Sequence, residues 1–182
     1  MCGISGYISN HNKISKEDFT KATNAMNHRG PDAEGYYENE QHSLLLGHKR
    51  LSIIDLSPAS NQPFFSNCGR YVMVYNGELY NFKEIKQQLQ LQTRTTGDTE
   101  VILEAYIKIG TKSFELLNGM FAFIIYDIQE QKVIVCRDRV GIKPLFYYYD
   151  GTRLAFSSEI KNVTWFNDDY FLYTTNNNVC GV

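Results

Sequence analysis

Met1-Cys2-Gly3-Ile4 begins the chain, and small and apolar side chains alternate from Gly3 to Ser9. The alternation predicts a strand over residues 3–9 that starts directly after Cys2. Removal of the initiator methionine would leave Cys2 with both a thiol and the terminal amine. The amine has a reference pKa of about 7.7–8.0 and the thiol one of about 8.5, so the amine can accept the thiol proton. Cys2 is therefore a candidate nucleophile, although a lone cysteine is more often a small buried residue.

Two later pairs of apolar segments predict antiparallel strand pairs. Residues 119–127 and 132–136 are apolar on both faces, which is typical of strands that are buried on each side. Residues 145–149 and 153–156 flank Asp150-Gly151, which favours a hairpin turn. Further strands are predicted over residues 44–48 and 71–75.

Helical periodicity predicts three helices that are grouped between the strand segments. The first runs from about Lys16 to Asn27 behind a Ser15 cap, the second from Phe82 to about Leu89 behind Asn81, and the third from Asp98 to Ile109. This order of elements favours an antiparallel α+β layered fold over a doubly wound one.

Composition excludes several classes of protein. The 182 residues carry a formal net charge of -2 with acids and bases well mixed, which argues against nucleic acid or an anionic membrane as a partner. The sequence has no signal peptide and no stretch of about 20 apolar residues, so we expect a cytoplasmic protein. The four cysteines form no Cys-x-x-Cys pair, which argues against a zinc site or a disulfide framework. No metal or other cofactor is expected.

Three polar positions in the predicted elements are candidate ligand-binding groups, each with a simpler explanation. Arg50 follows a strand, where an arginine is usually solvated, yet its planar fork suits a carboxylate. Asn76-Gly77 is commonly a hairpin turn, yet its amide and backbone N–H groups could stabilise an oxyanion. Asp98 begins a helix and could act only as its cap.

Together these groups describe a site for an amino acid. Arg50 would bind an α-carboxylate, Glu78 and Asp98 would bind an α-ammonium group, and Cys2 would attack a side-chain carbonyl. L-Glutamine fits this description.

Several ordered segments carry a resemblance to a known family. They are Met1-Cys2-Gly3-Ile4, His28-Arg29-Gly30-Pro31-Asp32, Gly47-His48-Lys49-Arg50-Leu51-Ser52-Ile53-Ile54-Asp55, Tyr75-Asn76-Gly77-Glu78-Leu79-Tyr80-Asn81, Gly97-Asp98-Thr99-Glu100, Gly119-Met120-Phe121-Ala122-Phe123 and Arg137-Asp138-Arg139-Val140-Gly141-Ile142-Lys143-Pro144-Leu145. From the first residue to Lys161 the chain resembles the class II glutamine amidotransferase (glutaminase) domain of glutamine-hydrolysing asparagine synthetases. The Arg-Gly-Pro-Asp and Arg-Leu-Ser-Ile-Ile-Asp segments favour that branch over glucosamine-phosphate synthase and amidophosphoribosyltransferase.

The resemblance implies the N-terminal nucleophile hydrolase fold, an αββα sandwich with two antiparallel sheets between helical layers. It implies that Cys2 is the nucleophile with its own amine as the base, and that Asn76 and Gly77 form the oxyanion hole. Arg50, Glu78 and Asp98 would bind the substrate. Backbone groups near Leu51 and Ile53 would complete the pocket.

The implied activity is hydrolysis of glutamine to glutamate and ammonia through a cysteine thioester. Two alternatives from other classes remain open: a non-catalytic glutamine-binding module that regulates a partner, and a structural remnant that binds nothing. A non-catalytic glutamine-binding module needs the residues that bind the substrate but no nucleophile, so the presence of Cys2 favours an enzyme.

Residues 1–161 are predicted to form the glutaminase domain and residues 162–182 an atypical polar tail or truncated linker. Asparagine synthetases also have an ATP-dependent domain with a serine-glycine-glycine loop, and this sequence contains no such loop. Three explanations stay open: a stand-alone glutaminase, a chain that passes ammonia to an ammonia-accepting synthetase domain or subunit in trans, or a fragment of a longer protein.

Overall fold

The computed structural model describes residues 1–9, 11, 14–39, 44–166, 173–174 and 180–181. The strands are β1 Gly3–Ser9, β2 Ala33–Asn39, β3 Leu44–Arg50, β4 Phe64–Phe65, β5 Tyr71–Leu79, β6 Gly119–Asp127, β7 Lys132–Arg137, β8 Phe146–Tyr149, β9 Arg153–Ser157, β10 Tyr173–Thr174 and β11 Cys180–Gly181. The α-helices are α1 Lys16–Asn24, α2 Phe82–Gln88, α3 Asp98–Ile109 and α4 Ile160–Thr164, and short 3-10 helices span Asn27–Arg29, Pro58–Ser60 and Gly110–Leu116.

The strands form two sheets whose described pairings are all antiparallel. The first sheet has the order β10-β8-β9-β1-β3-β2, and the second has the order β11-β7-β6-β5-β4. In the first sheet β1 lies between β9 and β3, so Cys2 leaves a central strand at a position fixed by pairing on both sides. In the second sheet β5 and β6 pair along their whole lengths.

Alternation of side chains along the strands produces three apolar interfaces between four layers. Ile4, Leu46 and Val74 belong to the group that packs between the two sheets. The outer face of the first sheet packs on α1 and α4, and the outer face of the second packs on α2 and α3. The predicted αββα sandwich of the α+β class is confirmed.

Helix α1 begins where the sequence predicts. The Ser15 Oγ accepts a hydrogen bond from the Asp18 N–H at 3.0 Å and so satisfies one unpaired donor of the first turn. Phe19 and Ala22 lie on the buried face of the helix. The helix ends at Asn24, three residues before the predicted Asn27, because the chain tightens into the 3-10 turn of Asn27–Arg29.

The hairpin interpretation of Asn76-Gly77 is wrong. Both residues lie inside β5, where Asn76 is the partner of Ala122 and Gly77 is the partner of Phe121 on β6. Pairing continues beyond the apolar run because β6 is long enough to reach Leu79. The Asn-Gly pair therefore lies in a sheet rather than at a turn.

Asn81 was predicted to cap α2, and this prediction is also wrong. Its side chain forms no cap hydrogen bond. The amide Nδ2 instead donates to the Leu116 carbonyl at 2.9 Å, and Oδ1 accepts from the Asn118 N–H at 3.0 Å. Asn81 thus holds the segment that leads into β6.

Packing continues beyond the predicted boundary at residue 161. Asn162 and Val163 of α4 are buried, and the Phe166 ring stacks on Phe19 at a centroid distance of 5.6 Å. The short strands β10 and β11 pair with β8 and β7. The rest of the predicted tail lies outside the described residues.

Candidate active site

All the residues predicted from the sequence to bind or react with substrate line one cavity of about 340 Å³. They are Cys2, Arg50, Leu51, Ile53, Asn76, Gly77, Glu78 and Asp98. The cavity lies where the ends of β1 and β3 in the first sheet meet β5 in the second and the first turn of α3. Residues from distant parts of the sequence are thus brought together, while their chemical roles stay predictions.

The Cys2 thiol contacts the backbone of Leu51 on both of its polar groups. Sγ lies 3.6 Å from the Leu51 carbonyl, to which a thiol can donate, and 3.4 Å from the Leu51 N, which can donate to a thiolate. Burial raises the pKa of the Cys2 thiol. The Leu51 hydrogen bond, the terminal amine of Met1, Arg50 and Lys143 oppose that shift. The protonated thiol is favoured near neutral pH, so its attack on an amide requires a base.

Arg29 holds the backbone of Cys2. Its Nε donates to the Cys2 carbonyl at 3.0 Å, and its guanidinium lies 3.3 Å from the Glu159 carboxylate. His28 is exposed and lies 2.7 Å from the same Glu159 oxygen. The Arg29–Glu159 ion pair therefore links the Cys2 backbone to the segment between β9 and α4. His28 is not among the residues that line the cavity.

The Arg50 guanidinium is engaged by the loop that follows β3. It donates to the carbonyls of Ser57, at 2.9 Å, and Asp55, and to the Asn61 side chain. Asp55 in turn accepts hydrogen bonds from the backbone and side chain of Thr96. Arg50 thus fixes one wall of the cavity, in addition to any contact that it makes with a ligand.

Asn76 brings an unpaired donor to the cavity. The residue is 1% exposed, and its Nδ2 has no hydrogen-bond partner among the described residues. A buried amide without a partner costs about 1–3 kcal/mol. Gly77 follows, and a Cβ there would lie 2.6 Å from the Met120 carbonyl oxygen, which excludes a larger residue without a backbone shift. The strand thus presents an unsatisfied donor where a ligand oxygen can reach it.

Asp98 joins the first turn of α3 to β5. Its Oδ2 accepts from the Tyr75 hydroxyl at 2.7 Å and from the Leu79 N–H at 2.9 Å. Burial raises the pKa of Asp98, and these hydrogen bonds oppose the shift. Burial and the Asp98 charge raise the pKa of Tyr75 well above its usual value, so the hydroxyl remains a donor. Glu78 lines the same wall and is half-buried.

His48 connects the two sheets beside Asn76. It is fully buried on β3, and its Nε2 lies 3.1 Å from the carbonyl of Tyr75 on β5. The carbonyl can only accept, so Nε2 carries a proton, and Nδ1 has no hydrogen-bond partner among the described residues. Burial lowers the pKa of His48 to about 3. This neutral histidine fixes β5 at the residue before the unpaired Asn76 amide.

The His48 environment predicts a pH-dependent stability. The folded-state pKa is about 3 and the unfolded value is about 6.5, so only the unfolded chain takes up the proton between these limits. The contribution is complete above about pH 6.5 and is lost as pH falls. We expect His48 to reduce the free energy of unfolding by about 2 kcal/mol between pH 7 and pH 5.

Urea unfolding at both pH values measures this effect. His48→Gln keeps an amide donor for Tyr75 and removes the titration, so its loss of stability between the two pH values should be about 2 kcal/mol smaller than that of the wild type. Equal losses in the two proteins would contradict the assignment of a neutral buried histidine.

Several cavity residues are not predicted from the sequence. Tyr75 and Gln62 are joined by a buried hydrogen bond, in which the Tyr75 N–H donates to Gln62 Oε1 at 2.6 Å. Lys143 and Met120 also line the cavity. Tyr75, Met120 and Lys143 lie in segments that carry the family resemblance, and this is the feature of the sequence that points to them.

The described residues contain no cluster of three or more His, Cys, Asp or Glu side chains that could hold a metal ion. In the same part of the chain, no helix is long and apolar enough to cross a membrane.

Comparison with known proteins identifies related sequences. The family described as glutamine amidotransferase domain matches residues 1–170. The chain is 41% identical over 179 residues to putative asparagine synthetase [glutamine-hydrolyzing] 2 of Methanocaldococcus jannaschii, covering 90% of this chain and 35% of that protein. It is 36% identical over 170 residues to asparagine synthetase [glutamine-hydrolyzing] 3 of Bacillus subtilis, covering 90% of this chain and 27% of that protein.

A solved structure supports the same fold. Glutamine phosphoribosylpyrophosphate amidotransferase from B. subtilis, complexed with ADP and GMP, superposes with a TM-score of 0.74 over 88% of this chain and 42% of that one. The sequence identity is 22%, so this likeness concerns the fold alone.

Proposed function

The chain belongs to the glutamine amidotransferase domain family, and on that premise we propose that it hydrolyses L-glutamine to L-glutamate and ammonia through a thioester on Cys2. The observation that carries the proposal is the buried Asn76 amide, which has no hydrogen-bond partner in the described part of the chain and lies in the same cavity as the Cys2 thiol. An amide donor without a partner is suited to an oxyanion that exists only during the reaction.

The proposed reaction begins when the Cys2 amine takes the thiol proton. The thiolate attacks the side-chain carbonyl carbon of glutamine, and the carbonyl oxygen becomes an oxyanion. Asn76 Nδ2 and the Gly77 N–H stabilise this oxyanion. The C–N bond then breaks, ammonia leaves with the proton from the amine, and a glutamyl thioester remains. Water hydrolyses the thioester, which releases glutamate and restores the thiol.

Charged groups around the cavity would select glutamine. Arg50 is proposed to face the α-carboxylate, and Glu78 and Asp98 the α-ammonium group, with backbone groups of Leu51 and Ile53 completing the pocket. The low polarity of this buried setting strengthens each of these contacts. Ligands that lack one of the two α-groups would lose one of these charge-assisted contacts.

The ammonia is proposed to serve amide synthesis in an asparagine synthetase-like protein. The two relatives described above are named asparagine synthetases [glutamine-hydrolyzing], and the chain spans 35% and 27% of their lengths. We propose that a synthetase domain or subunit accepts the ammonia.

Glutamate and ammonium should be released from glutamine in equal amounts, with asparagine as a control substrate that gives little product. Absence of glutamate formation by folded protein with a free Cys2 amine would contradict the function.

A blocked amine should abolish this activity. Met1 lines the cavity beside Cys2, and its retention leaves Cys2 without a terminal amine. We expect protein that keeps Met1 to lose glutaminase activity by at least about 10²-fold, the usual contribution of a general base. Intact-mass spectrometry gives the processed fraction, and activity should scale with it. A sample with fully retained Met1 and full activity would rule out the amine as the base.

A further inference from the structure

Lys143 is a buried lysine that the reaction above does not use. It is 6% exposed and lines the cavity that contains Cys2. Lys49, at 2% exposed, is paired with the Glu34 carboxylate. In the described part of the chain Lys143 forms no such ion pair. A largely buried lysine that forms no ion pair with a carboxylate is uncommon, so its position requires a reason.

The backbone of Lys143 is held from both sides. Its N–H donates to Asp138 Oδ2 at 2.9 Å, and its carbonyl accepts from Arg137 Nε at 2.8 Å. Arg137 also donates to the carbonyl of Gly141, which has a φ of +69°, a value that glycine tolerates best. Leu145 is fully buried two residues later. The turn between β7 and β8 is therefore fixed and holds Lys143 at the cavity.

Most other charges in the cavity have partners of their own. The charged and titratable side chains that line it with Cys2 are Arg50, Asp55, Tyr75, Glu78, Asp98 and Lys143, together with the terminal amine of Met1. Arg50 is bonded to loop carbonyls, Asp55 to Thr96, and Asp98 to Tyr75. Lys143 thus supplies a positive charge that no carboxylate in this part of the chain neutralises through an ion pair.

We propose that Lys143 is a positioning residue that holds a positive charge near the Cys2 sulfur and favours its thiolate form. The proposal rests on the proposed function, because it concerns the reactivity of the same thiol.

The electrostatics of Cys2 agree with this role. Burial is the largest influence and raises the pKa of the thiol, and the Leu51 hydrogen bond, the Met1 amine, Arg50 and then Lys143 act in the opposite direction. A single charge several ångströms away in a partly buried site changes a thiolate population by about threefold to tenfold. The same charge favours the oxyanion that forms after attack.

Alkylation of Cys2 by iodoacetamide tests the proposal without glutamine. The rate is measured from pH 6 to pH 10 in folded protein, and Cys2 is followed by peptide mass spectrometry because Cys68 is also exposed. We expect Lys143→Gln to alkylate about threefold to tenfold more slowly near pH 7 and to reach half-maximal rate at higher pH. Lys143→Arg keeps the charge and should follow the wild type.

The matched control is Lys132→Gln, which removes an exposed lysine at the start of β7 and should leave the Cys2 profile unchanged. Lys143→Met keeps an unbranched, uncharged side chain only one heavy atom shorter, and it decides the result if Lys143→Gln does not fold. An unchanged profile in the neutral variant, or an equal shift in Lys143→Arg and Lys143→Gln, would overturn the proposal.

The proposed function and the Lys143 proposal can fail separately. A shifted alkylation profile in a protein that forms no glutamate would overturn the function and support Lys143. Normal glutamate formation with an unshifted profile would overturn the role of Lys143 alone.

Discussion

Cys2→Ala is expected to abolish glutamate formation, with a loss of at least about 10³-fold in kcat, because no other group in the cavity can form the thioester. The variant should keep its fold. Among the described residues the hydrogen bonds of the thiol go to the Leu51 backbone, and β1 is held by β3 and β9 through its own main chain. Activity by glutamate release and folding by circular dichroism measure the two effects.

The matched control for this substitution is Cys68→Ala. Cys68 is an exposed free cysteine outside the cavity, and its removal should leave the rate within about twofold of the wild type. Substantial glutamate formation by Cys2→Ala, or an equal loss in both variants, would contradict the assignment of Cys2 as the nucleophile.

Asn76→Ala is expected to lower kcat by about 10²- to 10³-fold, the usual effect of removing one oxyanion-hole donor. Because the amide is proposed to act on an oxyanion, KM should change much less than kcat. The Nδ2 has no partner among the described residues, so little hydrogen-bond energy is lost from the folded state. Steady-state kinetics and urea unfolding separate the two quantities.

Asn67→Ala provides a control at an exposed asparagine, where neither activity nor stability should change appreciably. A loss of activity in Asn76→Ala that appears only in KM would indicate a role in substrate binding. Unchanged kcat would contradict the oxyanion assignment.

The layer order of the fold follows from the sequence because strand periodicity is strong in this chain. Residues 119–127 and 132–136 are apolar on both faces, and each of these strands packs between a sheet and a helical layer. The interpretation of Asn76-Gly77 shows the limit of such local patterns. The dipeptide has a strong turn preference, but pairing with Ala122 and Phe121, more than 40 residues away, overrides it.

Chemical complementarity predicts most of the cavity residues, the family resemblance adds Leu51 and Ile53, and the fold brings them together. The missed residues have no distinctive local pattern. His48 and Tyr75 are ordinary strand residues until β3 and β5 are brought together, and the Tyr75–Asp98 hydrogen bond joins two different elements. Lys143 looks like a solvated lysine in a turn, and only the fixed β7–β8 connection places it at the cavity.

The most direct test of the account is detection of the glutamyl thioester on Cys2. Protein with a free Cys2 amine is mixed with glutamine, quenched in acid within the first turnovers and digested for mass spectrometry. We expect a glutamyl group on the Cys2 peptide that hydroxylamine removes and that is absent when asparagine replaces glutamine. Steady glutamate release without any such adduct, or an adduct on another residue, would contradict it.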